Sequence, residues 1–314
     1  MRAVGVIEWG GPDALRVVEL PVPEAGPGQV RIRVHAAAVN PTDTLLRDGS
    51  RAERLRDVPA PHVPGMDAAG LLDQIGPGVE TGLRVGDPVM AVVVPHGAHG
   101  AYAEQIVVPA ESVVRAPAGA SHAEAASLPM NALTVRAALD VLDLRPGQTL
   151  AVSGAAGAVG GYAVQLGQAD GLRVIADASP ADEKLVRGLG ADVVVPRGDD
   201  FGARVRAVEP DGADGLIDAA LLDEQAISAV RDGGRIATVR GYEGPAQAER
   251  GITFHPVFVR LYAKEQAKLD RLRQQAESGQ VTLRVARTFP ADQAPEAHRI
   301  LEAGGTRGRL ILEF

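Results

Sequence analysis

Thr149-Leu150-Ala151-Val152-Ser153-Gly154-Ala155-Ala156-Gly157-Ala158-Val159-Gly160 is the stretch that decides the fold. The apolar run Thr149–Ser153 predicts a strand, and the spacing of Gly161–Asp170 predicts a helix that stops at Gly171. A glycine-rich turn between such a strand and such a helix is how dinucleotide-binding folds begin. Of the three glycine places in that fingerprint, Ala155 takes the first, with Gly154 beside it, while Gly157 and Gly160 hold the others. Gly157 would let the backbone approach a pyrophosphate, and Gly160 would let the helix pack close to the strand. The helix N-terminus would offer N–H groups and partial positive charge to the phosphates. Gly154, Ala155, Ala156, Gly157, Ala158, Val159 and Gly160 are therefore candidate cofactor-binding residues; the plainer alternative is a tight turn that binds nothing.

Downstream, strands predicted at Leu172–Ala176, Val193–Val195, Gly215–Ala219 and Arg235–Val239 alternate with helices at Ala181–Leu189, Phe201–Val208 and Glu224–Val230. This alternation predicts an α/β, doubly wound parallel sheet of Rossmann type. Asp177 stands about where an acidic residue would bond a ribose 2′-hydroxyl, and equally reads as a solvated residue at a strand end. Upstream, Ser121 and Glu124 have capping-box spacing ahead of one helix over Ala125–Leu142. Residues 1 to 118 read as short strands (Val4–Glu8, Leu15–Glu19, Val30–Ala38, Ala69–Ile75, Pro88–Val94, Tyr102–Val108) between Gly/Pro turns, a β-barrel pattern. Residues 257–279 read as one long polar-faced helix, and the tail as strand Thr282–Phe289, helix Ala294–Ala303 and strand Arg309–Phe314. The expected divisions are 1–118, 119–261 and 262–314.

Composition narrows the function. The 314 residues are 46% apolar and 23% charged, the balance of a globular protein with a sizeable core. Aromatic residues at 3% and a net charge of −8 argue against nucleic acid as a partner, because neither base stacking nor phosphate neutralisation is provided for. Cysteine is absent, which removes disulfides, Cys-ligated zinc and thiol catalysis together. No apolar run approaches the ~18 residues of a membrane span, and the N-terminus lacks signal-peptide order. The expectation is a cytoplasmic protein with no membrane partner.

Many segments, in order, carry a resemblance. Gly10-Gly11-Pro12 lies within Met1–Val22; HAAAVNPTDTLLRDG ends at Gly49; VPGMDAAG spans Val63–Gly70 and GAYAEQIVVPAE spans Gly100–Glu111. ASLPMNALTVRAAL (Ala126–Leu139), GAAGAVG, DGGRI (Asp232–Ile236) and EAHRILEAGGTRGRLIL from Glu296 follow. Together the chain resembles the zinc-independent quinone oxidoreductase (zeta-crystallin-like) branch of the medium-chain dehydrogenase/reductases over nearly its full length. The resemblance implies a GroES-like β-barrel domain, a Rossmann domain, a cleft between them and a C-terminal return to the first domain.

It also implies an NAD(P)H-dependent reductase of quinones or α,β-unsaturated carbonyls, acting on a small-molecule electrophile. The alternative is an NADPH-binding sensor or structural protein with little catalysis. Asn40 would face the nicotinamide and the substrate carbonyl, Thr134 would contact the nicotinamide, and Val239 and Gly241 would lie beneath its ring. No metal is expected, since Asn40 stands where zinc alcohol dehydrogenases have a Cys and Gly65-Met66-Asp67 where they have Gly-His-Glu. The sequence departs from the branch at Leu45, often a tyrosine thought to protonate product; that leaves solvent or an unassigned residue as proton source, with Tyr102 and Asp43 as weak candidates. For the cofactor, Arg197 and Ser179 favour NADPH, while Asp177 and Asp182 oppose a 2′-phosphate and keep NADH open. Gly251–Phe254 would form the edge strand of a homodimer.

Overall fold

The computed structural model describes residues 1–314, the side chain of Arg54 excepted. The chain divides into two compact units, one of residues 1–130, 263–278 and 282–314, the other of residues 131–262 and 279–281.

The first unit opens with a two-stranded antiparallel ribbon, β1 (Arg2–Val6) and β2 (Leu15–Glu19). Its main sheet is built on β3 (Gln29–Ala38), joined by β4 (Asp67–Ile75), β5 (Pro88–Val92), β6 (Gln105–Pro109) and β7 (Val113–Arg115). β3 serves three partners, with β4 along one side and β6 on Gln29–Arg33 of the other, and its register with β4 shifts between Arg31 and Ile32 and again between Val34 and Ala36. Such irregularities sharpen the bend that wraps a sheet toward closure. Val34, Leu72, Val89, Ile106, Val113 and Phe289 belong to the apolar core it encloses. Two helices were not foreseen as they stand. α1 (Pro41–Arg47) follows Asn40 directly, with Pro at its first position, where the missing N–H costs nothing. The helix expected over Ala125–Leu142 is two, α2 (His122–Ala126) and α3 (Pro129–Leu142), because Pro129 ends one and starts the next.

The second unit holds β8 (Thr149–Ser153), α4 (Ala158–Ala169), β9 (Arg173–Ala178), α5 (Glu183–Gly188), β10 (Val193–Pro196), α6 (Phe201–Val208), β11 (Ala213–Asp218), β12 (Val230–Thr238) and β13 (Thr253–Pro256). All five strand pairings are parallel, in the order β10-β9-β8-β11-β12-β13. Every residue of β8 is buried, as expected of a strand covered on both faces. The order reverses between β8 and β11, the switch point at whose carboxyl end such sheets take their ligands. The segment expected as a helix at Glu224–Val230 is a 3-10 turn at Asp223–Ala229, and β13 is an edge strand.

The single long helix expected over 257–279 is replaced by a 3-10 turn at Val259–Tyr262 and α7 (Gln266–Glu277). Val257 N–H is held by Thr238 O of the sheet, and the chain passes from the second unit to the first at residue 263. Back in the first unit, β14 (Val285–Pro290), α8 (Ala294–Ala303) and β15 (Arg309–Glu313) complete the tail, with β15 antiparallel to β3 at Ala36–Ala38. Among the described residues no helix is long and apolar enough to cross a membrane.

Candidate functional site

The glycine turn of the second unit joins β8 to α4, and α4 begins at Ala158, three residues earlier than its spacing indicated. Val159 and Gly160 thus lie in its first turn, where backbone N–H groups have no intrahelical acceptor. Gly154 has φ +69, in the left-handed region that glycine tolerates. A Cβ on Gly160 would sit 2.2 Å from Gly154 O, so the helix packs against the turn at a distance that excludes a side chain. A Cβ on Gly157 would lie 3.2 Å from the same oxygen. Gly154, Gly157, Ala158 and Val159 are half-buried, while Ala155, Ala156 and Gly160 are buried. A pyrophosphate fits such a turn: partly open backbone, no obstructing side chain at Gly157 or Gly160, and the positive end of a 12-residue helix.

Beneath the turn, Ser153 Oγ donates to Asp218 Oδ1 at 2.6 Å across the switch point. Asp218 also accepts Asp223 N–H at 2.9 Å, and so anchors the loop after β11. At the end of β9, Asp177 is buried and accepts Ala155 N–H on Oδ1 at 3.1 Å. Arg197 Nε donates to its other oxygen at 2.8 Å. The carboxylate is therefore a strut between the glycine turn and Arg197, whose side chain stays 41% exposed. Ser179 Oγ donates to Asp182 Oδ2 at 2.6 Å, so these two neighbours are bonded to each other. Thr134 is buried in α3; Val239 and Gly241 follow β12, Val239 half-buried and Gly241 exposed.

In the first unit, Asn40 is buried at the N-terminus of α1 within an ionic cluster that sequence reading did not assemble. Asn40 Nδ2 donates to Ala38 O at 3.1 Å and to Asp67 Oδ2 at 2.9 Å, and its Oδ1 accepts from Arg309 Nη2 at 2.8 Å. Arg309 also meets Asp67 Oδ2 at 2.8 Å, and both side chains are buried. The break at Pro129 matters here, for Met130 N–H is left to Asp67 Oδ1 at 2.6 Å. Burial pushes the Asp67 carboxyl up, against the pull of Arg309 and these donors. Asp43 carries the second carboxylate: it accepts Asn40 N–H at 2.8 Å, Gly65 N–H at 3.0 Å and Tyr102 OH at 3.1 Å. Burial takes its carboxyl up to about 6, while the three donors pull it down. Tyr102 is fully buried, and its hydroxyl is held well above the ordinary range by burial and by Asp43. Asp43 and Tyr102 thus bond to each other inside the unit, rather than facing outward as proton donors.

A zinc ion does not fit this donor set. Asn40 is engaged by Asp67 and Arg309, Met66 offers a thioether that accepts from Thr42 Oγ1 at 3.2 Å, and cysteine is absent. Among the described residues no three His, Asp or Glu side chains gather as a ligand set.

Comparison with known proteins agrees with this architecture. Residues 26–118 match the family model described as alcohol dehydrogenase GroES-like domain, and residues 189–312 match that described as zinc-binding dehydrogenase. The chain is 30% identical to the NADPH-dependent alkenal/one oxidoreductase of Arabidopsis thaliana chloroplasts, over 99% of this chain and 79% of the relative. It is 29% identical to the quinone oxidoreductase of Mus musculus, over 99% and 97% of the two chains. A solved NAD-dependent alcohol dehydrogenase superposes with a TM-score of 0.86 at 32% identity, covering 100% of both chains. With a parallel Rossmann sheet, a GroES-like domain and full-length relatives of this kind, the chain belongs to the quinone oxidoreductase branch of the medium-chain dehydrogenase/reductase superfamily.

Proposed function

We propose that this protein is an NADPH-dependent reductase that delivers hydride to a quinone or an α,β-unsaturated carbonyl. The observation that carries the reading is the glycine turn at the switch point, stripped of side chains at Gly157 and Gly160, in a chain akin to reductases named for these substrates. The bound nicotinamide supplies the hydride, and the protein supplies binding, orientation and electrostatics. Gly154–Gly160 would hold the pyrophosphate, and Thr134, Val239 and Gly241 would line the nicotinamide.

Arg197 would take the 2′-phosphate. Asp177 does not oppose this as a bare charge would, because it is buried and paired with Arg197, accepting from Nε at 2.8 Å and from Nη2 at 3.4 Å, while the Arg197 side chain stays 41% exposed. Asn40 would steady the carbonyl oxygen as it gains negative charge. Both its amide protons are engaged, so one bond must be exchanged. Giving up the longer one, to Ala38 O at 3.1 Å, leaves Asp67 and Arg309 in place. A cytoplasmic homodimer joined along the β13 edge belongs to the same reading.

Arg197→Ala tests the nucleotide side. Loss of charge-assisted hydrogen bonds of roughly 1.5–3 kcal/mol lowers the NADPH-over-NADH preference in kcat/KM by about tenfold or more. An unchanged ratio removes Arg197 from the site.

A further inference from the structure

A buried line of hydrogen bonds in the first unit joins segments far apart in the chain, and the proposed reaction uses none of it directly. Arg47 of α1 is buried and donates Nη2 to Glu302 Oε1 of α8 at 2.6 Å and Nε to Gly10 O at 3.1 Å. Its Nη1 lies 3.3 Å from His298 Nδ1, and His298 Nε2 lies 3.2 Å from the Tyr102 hydroxyl oxygen. Tyr102 OH reaches Asp43, which holds the backbone N–H groups of Asn40 and Gly65.

The directions along this line are forced. A guanidinium only donates, so His298 Nδ1 accepts and the ring proton sits on Nε2. Nε2–H then donates to Tyr102, whose own proton goes on to Asp43. The line cannot run the other way while Arg47 occupies Nδ1. Its far end is rigid as well: Gly65 has φ +102, and a Cβ there would lie 2.6 Å from Tyr102 Cδ1, so the ring packs directly on the turn. Tyr102 and His298 also meet edge to face, at 6.0 Å between centroids.

We propose that His298 is a positioning residue which, through Tyr102 and Asp43, fixes the backbone of Asn40 and of the Gly65–Asp67 turn for the reaction. The proposal rests on the reading of Asn40 given above. Its chemistry depends on Asp43 being ionised, since a protonated carboxyl would meet a line of donors with a proton of its own. Asp43 faces Tyr102 and, from β4, Asp67, which itself is paired with Arg309 of β15; His298 faces Arg47, which is paired with Glu302. Activity therefore falls as pH drops through the Asp43 titration, and losing one donor to that carboxylate moves the limb upward.

The test compares His298→Leu, His298→Gln and Tyr102→Phe with wild type, reading hydrogen exchange at the Asn40 and Gly65 amides alongside kcat, KM and their pH profiles. In His298→Leu both amides exchange faster and kcat falls about tenfold with little change in nucleotide KM, the worth of one hydrogen bond to a charged group. His298→Gln, able to accept from Arg47 and donate to Tyr102, restores both. Tyr102→Phe moves the acid limb of kcat up by about one pH unit. Unchanged exchange in His298→Leu overturns the proposal, as does a Gln variant no better than Leu. Faster exchange with unchanged kcat overturns the link to catalysis, and a silent Asn40→Ala would then place the fault in the reading of Asn40. If His298→Leu does not fold, the near-isosteric Tyr102→Phe decides: a limb that stays put overturns the proposal. Should wild type reduce no quinone or enone, the functional reading fails separately, and exchange measured across pH still judges the line.

Discussion

At the glycine turn of the second unit, the proposed recognition is left to backbone, and side chains are missing where they would obstruct: nothing larger than hydrogen fits at Gly160. Around Asn40 in the first unit the opposite holds, and buried polar atoms are met by side chains from distant parts of the chain. Arg309 reaches Asn40 across 269 residues of sequence and Asp67 across 242. A backbone site of the first kind tolerates partners that come and go, because its N–H groups point outward from a helix end. A side-chain cluster of the second kind is bound within itself: Asn40, Asp67 and Arg309 are each held by the other two, with Arg309 Nε left buried and without a hydrogen-bond partner. One centre is suited to hold an exchangeable nucleotide, the other to keep a single residue in one place.

The largest effect should come from opening the closed cluster. Arg309→Leu leaves Asp67 charged, buried and without its cation, and is expected to cost about 3–5 kcal/mol in denaturant unfolding. Adding Asp67→Asn should recover much of that loss, because a neutral amide need not be compensated. If the single variant is as stable as wild type, the cluster is not a closed unit. Next comes the turn. Gly160→Ala drives a methyl group into Gly154 O and should cost about 3 kcal/mol, with nucleotide binding weakened at least tenfold. Binding at wild-type strength, read by fluorescence titration, would break the contrast between the centres.

The smaller effect is a pH dependence that belongs to the closed cluster alone. Burial and Arg47 take His298 down to about 3, below the ~6.5 of an unfolded histidine. A depressed folded-state value means stability that is complete above pH 6.5 and is lost as pH falls from there toward 3. His298→Gln has no such loss. Relative to wild type, the variant should therefore gain about 2 kcal/mol between pH 7 and pH 5, at about 1.4 kcal/mol per unit over the range below 6.5. Asp43 works in the other sense, since its raised value gives stability as pH falls from about 6 toward its unfolded 3.8, but it is common to both proteins. A pH-independent difference in unfolding free energy would show that His298 is not held neutral.

What could be read from sequence follows the same contrast. The strand Thr149–Ser153, the helix Phe201–Val208 and the helix Ala294–Ala303 fall where their patterns placed them, because each is specified by neighbouring residues. The glycine turn was legible for that reason too. α1 carries Pro41 at its first position and Asp43 two residues on, yet Asn-Pro also opens turns, so this pairing does not by itself specify a helix. The helix expected over 257–279 is broken where the chain leaves the second unit for the first at residue 263, a crossing that spacing does not reveal. Asp177 illustrates the limit at the site itself. Its place after β9 was clear, but its bonds to Ala155 and Arg197 depend on strands β8, β9 and β10 lying side by side. Arg309 gave no local signal of its part, since its partners lie in the first quarter of the chain.

The most direct measurement is steady-state oxidation of NADPH and NADH, side by side, with one simple quinone and one 2-enal or enone as acceptors. Saturable turnover with at least one acceptor, faster in kcat/KM with NADPH than with NADH, is the expected result. Tight nucleotide binding without turnover of any acceptor would contradict it and leave a nucleotide-binding protein that does not catalyse.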